Sequence, residues 1–192
     1  MQFAKKSLGQ NFLIDLNIKK KIINLTNLFN KNVLEIGPGK GALTDEIIKK
    51  KPKSLILIEK DKNLSKKLKI KYAESKIIKV LNEDILKYSL EKKLKENSII
   101  FGNLPYNISS RILVKMIKFK KWPPKYSALI FMFQKELADK IVGQFKTKQY
   151  GRLSILTNYR LSAIDKFNVS RHCFFPKPKI ESTLIYLKPH NK

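Results

Sequence analysis

The sequence predicts an α/β protein built on a mostly parallel sheet, and three observations support this prediction. Short apolar, β-prone runs alternate along the chain with stretches of helical spacing. Four of these runs end in glycine-rich or polar segments. Hydrophobic residues make up 43% of 192 residues, enough for one core of single-domain size. Because parallel neighbours need crossover connections that cover the sheet, this alternation predicts helices on both faces.

The predicted elements follow one another with short connections. A helix begins behind a cap at Asp15 and ends near Leu28, within an N-terminal helical segment that covers about residues 1–30. Strands are predicted at residues 33–36, 54–58, 77–81, 99–101 and 129–133, with late β-prone stretches at 167–169 and 180–187. Further helices are predicted from 43, and over 63–72, 108–119, 136–142 and 153–161. No repeat or low-complexity linker interrupts the chain, so one domain over residues 1–192 is expected.

The charge balance predicts a polyanionic partner. Lys and Arg number 41 against 15 acidic residues, a formal net charge of +26. RNA, DNA or an anionic membrane would complement such a charge. A skewed genome base composition also enriches lysine, so the charge supports nucleic acid without establishing it.

Composition also limits the kinds of site that can be built. The chain has one cysteine and two histidines, which predicts neither a disulfide framework nor a zinc site, and no metal is expected. No stretch approaches the roughly 18 consecutive apolar residues of a spanning helix, and no signal-type apolar run follows the N-terminus. We therefore expect a cytoplasmic protein with no membrane partner.

Three strand ends predict an adenosine-binding site. Gly37 and Gly39 belong to a G-x-G-x-G turn that lets the backbone approach a ligand closely. Glu59, which closes the next strand, can accept hydrogen bonds from two ribose hydroxyls, and Asp84 with the amide of Ile85 can bind an adenine edge. A purely structural turn, a solvated strand-end charge and an N-cap aspartate are the alternatives. Taken together, the three features suit an adenosine cofactor without a pyrophosphate, such as S-adenosylmethionine.

The segment after the fourth strand predicts a site for an amine substrate. The side-chain oxygen of Asn103 and the carbonyl of Leu104 provide two acceptors, and Pro105 keeps Leu104 extended. The lone pair of an adenine N6 amine is delocalised, so two fixed acceptors for its hydrogens would favour a reactive, tetrahedral nitrogen. Tyr106 would stack on a base that has left its helix. The alternative is an ordinary Asn-Pro-type turn with a half-buried tyrosine.

Phe174, the first residue of a Phe pair near the last strands, could cover the other face of the base. A pair of phenylalanines is more often part of a core, and that alternative stays open.

Four ordered motifs resemble one family. Residues 6–13, 35–41, 103–106 and 174–182 are similar to the N-terminal signature, cofactor loop, catalytic motif and F-x-P-x-P-x-[VI]-x-S element of the KsgA/Dim family of small-subunit rRNA adenine dimethyltransferases. The Erm methyltransferases are close cousins of that family. The resemblance runs through the whole chain, and four motifs in order are more specific than any one of them.

The resemblance implies a class I methyltransferase sheet with an antiparallel last strand, and S-adenosylmethionine as cofactor. It implies transfer of two methyl groups to each of two adjacent adenines near the 3′ end of small-subunit rRNA, which makes the small ribosomal subunit the expected partner. A monomer is expected. The resemblance also implies a C-terminal helical domain, which is expected to be absent here because the chain ends at Lys192, just after the last predicted strand. Carried over by position, the cofactor contacts are Asn11, Leu13, Gly37, Glu59, Asp84 and Asn103, and the catalytic residues are Asn103, Leu104, Tyr106 and Phe174.

Two rival functions remain. An Erm-type enzyme acting on large-subunit rRNA ranks second, because Leu104 after Asn103 and the Leu8-Gly9 pair before Gln10 are nearer to the small-subunit pattern. The other rival is a non-catalytic RNA-binding assembly factor that has kept the fold, and the intact Asn103 and Tyr106 argue against it.

Overall fold

A computed structural model describes residues 10–191, and a seven-stranded sheet is its main feature. The strands in chain order are β1 (Phe12–Leu13), β2 (Asn32–Ile36), β3 (Ser54–Glu59), β4 (Ile78–Asn82), β5 (Ser98–Asn103), β6 (Tyr126–Gln134), β7 (Leu161–Val169), β8 (Phe174–Phe175) and β9 (Ser182–Pro189). The helices are α1 (Leu16–Ile23), α2 (Ala42–Lys49), α3 (Lys62–Lys71), α4 (Leu90–Lys93), α5 (Ser109–Ile117), α6 (Lys135–Ile141) and α7 (Arg152–Arg160).

The sheet has the order β4-β3-β2-β5-β6-β9-β7, and β1 pairs with β8 in a separate two-stranded ribbon. Strands β2 to β6 pair with one another in parallel. Strand β9 is antiparallel to both β6 and β7. The prediction of a mostly parallel sheet with an antiparallel last strand is therefore confirmed, and the structure adds that this strand is inserted between two others.

The strand order creates a crevice at one edge of the sheet. After β2 the chain builds outward through β3 and β4, and it then returns to pair β5 with the other side of β2. At such a reversal the crossover connections leave in opposite directions, so an open sheet has its binding crevice beyond the carboxyl ends of the two strands. The glycine turn follows β2 and residues 104–108 follow β5, so both predicted segments meet at this point.

Apolar side chains cover both faces of the central strands. On one face Leu34 and Ile100 pack with Leu113 and Met116 of α5. On the other face the strand residues Val33 and Leu57 and their neighbours pack with helices α1 and α2. Because successive strand residues point to opposite faces, a strand buried on both sides is apolar throughout, which explains the short continuous runs in the sequence.

Helix α1 and strand β7 differ most from the sequence prediction in extent, and the short elements β1, β8 and α4 were not predicted. Helix α1 has the predicted cap, with Asp15 Oδ1 accepting a hydrogen bond from Ile18 N at 2.8 Å, but it ends at Ile23. Leu28 lies in the loop after α1, but its side chain is buried, with 1% of its surface exposed. This buried loop residue continued the apolar spacing of the helix in the sequence. Strand β7 is longer than predicted and begins at Leu161, which was assigned to the preceding helix. As the sheet edge it is buried mainly at its two ends, so it lacks the alternation that identifies a strand.

Candidate functional site

A single cleft lies at the carboxyl ends of β2, β3, β4 and β5, and every predicted site residue except Phe174 lines it. These residues are Asn11, Leu13, Gly37, Gly39, Glu59, Asp84, Ile85, Asn103, Leu104, Pro105 and Tyr106. The cleft contains about 1170 Å³ of empty space, including its open mouth. The cleft is therefore open to solvent on one side and is not an enclosed cavity.

The glycine turn is shaped by positive φ angles and by its contact with the N-terminal segment. Gly37 and Gly39 have φ angles of 67° and 59°, a region that favours glycine. A Cβ on Gly39 would lie 2.9 Å from the ring of Phe12, so β1 packs directly against the turn. Gly37 N also donates to Ile58 O at 2.9 Å, which ties the turn to the end of β3.

Glu59 joins the turn to the end of β3. Its Oε2 accepts from Gly39 N at 3.1 Å and its Oε1 accepts from Asp61 N at 2.8 Å. Burial raises the pKa of this carboxyl, although the bonds from the backbone amides oppose the shift. A carboxylate oxygen can accept more than one hydrogen bond, so both oxygens can still receive the hydroxyls of a ribose.

Asp84 is held in place by two different donors. Its Oδ1 accepts from Leu86 N at 2.9 Å, the turn-capping role that was the structural alternative. Its Oδ2 lies 3.0 Å from Lys60 Nζ. Partial desolvation raises the pKa of Asp84, but the hydrogen bonds from Leu86 and Lys60 outweigh it and the net shift is downward. The carboxylate is therefore ionised at neutral pH and can accept from an exocyclic amine, with Ile85 beside it at the cleft wall.

Lys115 on α5 connects the Asp84 turn to the segment that carries Asn103. Its Nζ donates to Leu86 O at 2.8 Å and to Tyr88 O at 2.7 Å. Desolvation lowers the pKa of Lys115, against the attraction of Asp84. The ammonium thus satisfies two carbonyls of the turn that presents Asp84 and Ile85 to the cleft.

We predict that Lys115→Met weakens binding of S-adenosylhomocysteine about five- to twentyfold. The substitution removes two charge-assisted hydrogen bonds that hold the turn presenting Asp84 and Ile85 to the cleft. Isothermal titration calorimetry would measure the dissociation constant. Arg111→Met, on the same helix, is the matched control and should bind as the wild type does. Unchanged affinity in Lys115→Met would show that the turn keeps its shape without the lysine.

The Asn103 side chain has a defined orientation at the end of β5. Its Nδ2 donates to the backbone carbonyl of Asn11 at 2.8 Å. This bond uses the NH₂ group, so Oδ1 remains as the acceptor end of the amide. Asn103 lines the cleft together with the glycine turn and Glu59, which brings the predicted substrate and cofactor residues into one site.

Leu104 and Pro105 fix the backbone that follows. The Leu104 side chain is 1% exposed, and a Cβ on Gly102 would collide with it, so glycine makes room for the leucine beneath the strand end. Pro105 restricts Leu104 to an extended conformation. The buried Leu104 side chain and the restricted ψ angle of Leu104 together hold its carbonyl at the cleft.

Tyr106 completes this segment. Its hydroxyl forms a 2.6 Å hydrogen bond with Ser182 Oγ at the start of β9. Burial raises the pKa of Tyr106, with the Ser182 bond opposing the shift, so the phenol is protonated at neutral pH. The half-buried ring lines the cleft.

The structure does not place Phe174 at the cleft, where the expected stacking role would need it. Its side chain is 2% exposed and belongs to the core on the α1 side of the sheet. It pairs with Leu13 in the β1–β8 ribbon, whereas Phe175, which pairs with Phe12, is 63% exposed. Successive strand residues point to opposite faces, so only one of the two phenylalanines can face the core, and this residue is Phe174. Its position agrees with the alternative that a phenylalanine pair is part of the core.

Several cleft residues had no predicted role, among them Gln10, Phe12, Glu35 and Lys60. Glu35 is buried, which raises its pKa to about 8, and Thr44 Oγ1 donates to its Oε2 at 2.6 Å. Gln10 and Phe12 belong to the first sequence motif, which was the available signal for them. Residues 6–9 of that motif lie outside the described residues.

The cleft fits an adenosine cofactor that carries positive charge. Carboxylates at the ends of two neighbouring strands suit hydroxyl and amine donors, and they would repel a pyrophosphate. Ile36, Ile58 and Ile85 provide apolar walls for a purine ring. With the strand order described above, these features define a class I methyltransferase that depends on S-adenosylmethionine.

The chain belongs to the ribosomal RNA adenine dimethylase family, whose model matches residues 1–192. It is 47% identical over 186 residues to the ribosomal RNA small subunit methyltransferase A of Pelagibacter ubique, covering 97% of this chain and 70% of that protein. It is 41% identical to the protein of the same name from Malacoplasma penetrans, covering 95% and 65%. The chain thus spans about two thirds of the length of these curated relatives.

Solved structures show the same fold. A dimethyladenosine transferase from Plasmodium falciparum has a TM-score of 0.82 and 28% identity, with 93% of this chain and 63% of that chain covered. The 23S rRNA methyltransferase ErmE has a TM-score of 0.79 and 28% identity, with 95% and 71% covered. Both are similar to this chain over nearly all of its length.

Two kinds of feature are absent from the described residues, 10–191. No group of three or more His, Cys, Asp or Glu side chains could hold a metal ion there. Within the same range, no helix has the length and apolar character needed to cross a membrane.

Proposed function

We propose that this chain transfers methyl groups from S-adenosylmethionine to the N6 amines of two adjacent adenines near the 3′ end of small-subunit rRNA, two to each adenine. The observation that carries the proposal is the oriented Asn103 amide at the end of β5, beside the glycine turn and Glu59. The names of the curated relatives support small-subunit rRNA as the substrate. Action in the cytoplasm and a monomeric state are further predictions of this proposal.

In this proposal the residues of the chain activate the amine. Asn103 Oδ1 and the Leu104 carbonyl accept the two N6 hydrogens, which favours a tetrahedral nitrogen whose lone pair can attack. When bound, the cofactor supplies a methyl group already activated on a sulfonium. The methylated nitrogen is strongly acidic and releases its proton to water, so no general base is required. Tyr106 stacks on the base and holds its plane.

The surface charge supports an RNA substrate. The loop between α6 and α7, residues 142–151, carries Lys146 and Lys148 and no acidic residue, and Arg152 follows it at the start of α7. Exposed on the same loop, the rings of Phe145 and Tyr150 form an edge-to-face pair with centroids 5.7 Å apart. Exposed aromatic rings beside cations suit unpaired bases and phosphates.

Mass spectrometry of rRNA adenines tests the proposed function. Undermethylated small and large subunits are each incubated with the protein and isotopically labelled S-adenosylmethionine. We expect dimethyladenine at two adjacent positions near the 3′ end of small-subunit rRNA and none in large-subunit rRNA. Label in the large subunit would favour the ErmE-like alternative, and no label in either would favour a non-catalytic RNA-binding factor.

We predict that Asn103→Ala lowers kcat at least a hundredfold, on the scale measured when one donor or acceptor of a charge-stabilising site is removed. S-adenosylhomocysteine affinity should change far less, since Glu59 and Asp84 remain. Single-turnover methylation and calorimetry measure the two effects. Asn24→Ala, at an exposed position just after α1 and outside the cleft, serves as the control, and retention of full turnover in Asn103→Ala would refute the assignment.

A further inference from the structure

Residues 174–182 form the last of the four sequence motifs, and the structure does not place its first residue at the cleft. Phe174, its first residue, lies in the core instead of the cleft. Ser182, its last residue, contacts a cleft residue: its Oγ lies 2.6 Å from the Tyr106 hydroxyl. Ser182 is fully buried and is not part of the cleft wall, so it contacts Tyr106 from behind.

The backbone at Ser182 is held on both sides. Ser182 begins β9 and pairs with Gln134 at the end of β6 and with Val169 at the end of β7. The preceding carbonyl, Glu181 O, accepts from Lys135 N at 3.0 Å. An antiparallel strand inserted between two others therefore fixes the hydroxyl at the carboxyl edge of the sheet, beside the cleft.

Tyr106 itself lies in the turn between β5 and α5, where no strand neighbour orients its side chain. Ser109 Oγ donates to Tyr106 O at 3.2 Å, which restrains the backbone. The bond to Ser182 restrains the far end of the ring. A ring that is fixed before the base arrives loses less conformational freedom on binding, so its restraint favours the stacked complex.

We propose that Ser182 is a positioning residue for methyl transfer, which holds the plane of the Tyr106 ring against the incoming base. This inference rests on the proposed function, because the base is the adenine of that reaction. Strand β9 thereby contributes to the substrate side of the site, although none of its residues lines the cleft.

A double-mutant cycle tests the proposal, with wild type, Ser182→Ala, Tyr106→Phe and the double variant compared on the same small-subunit substrate. Each single change should lower kcat roughly five- to tenfold, the scale of one lost hydrogen bond. The double variant should be no slower than either single variant, because all three lose the same bond. S-adenosylhomocysteine affinity should stay within about twofold of the wild type, since Ser182 does not touch the cofactor cleft.

Thr183→Val is the matched control. Thr183 is also buried on β9, but its Oγ1 donates to Asn168 Oδ1 at 2.9 Å on the β7 side. Loss of this bond should lower the melting temperature about as much as Ser182→Ala does and leave kcat unchanged.

Three results would overturn the proposal. One is unchanged kcat in Ser182→Ala. Another is multiplicative losses in the double variant. The third is a much larger loss in Tyr106→Phe than in Ser182→Ala, which would mean that the phenol contacts the substrate directly. Wild-type inactivity on small-subunit rRNA would instead refute the proposed function, so the two failures are distinguishable.

Discussion

The hydrogen bond from Asn103 Nδ2 to Asn11 O, 2.8 Å long, is the contact on which the site depends. It joins residues 92 positions apart and decides which end of the Asn103 amide is left as an acceptor. A rotated amide would present NH₂ to the substrate, and a donor cannot hold the hydrogens of an amine. The N-terminal segment therefore does more than cover the cleft, since one of its carbonyls sets the chemistry of Asn103.

The sheet topology explains why these distant residues meet. Strands β2 and β5 are neighbours because the chain reverses direction across the sheet after β4. The glycine turn and Asn103 are consequently side by side, while Glu59 and Asp84 follow the next two strands outward. Cofactor and substrate residues occupy adjacent strand ends, which matches the need to bring a methyl donor and an amine into line. Turns, backbone amides and Lys115 then hold each carboxylate in place.

Much of the fold and of the site could be predicted from the sequence, because the relevant signals were local. Apolar runs predicted the parallel strands. The positions of Gly37, Glu59, Asp84 and Asn103 at the strand ends predicted that they belong to the site. All four line one cleft. Parallel strand ends share one edge of a sheet, so a residue's position at a strand end was enough to place it.

Features that depend on packing could not be predicted in this way. Phe174 and Phe175 are chemically identical, and only the β1–β8 pairing shows which one is buried. The bonds of Lys115 and Ser182 join segments far apart in the sequence and leave no periodic pattern. Strand β7 lacked alternation because it is an edge.

A structure of the protein with S-adenosylhomocysteine and an adenine-containing oligonucleotide would test the central claim most directly. The account predicts that the target N6 lies within hydrogen-bonding distance of both Asn103 Oδ1 and the Leu104 carbonyl, with the Asn103 amide still bonded to Asn11. A base bound elsewhere, or an Asn103 amide turned so that Nδ2 faces N6, would contradict it.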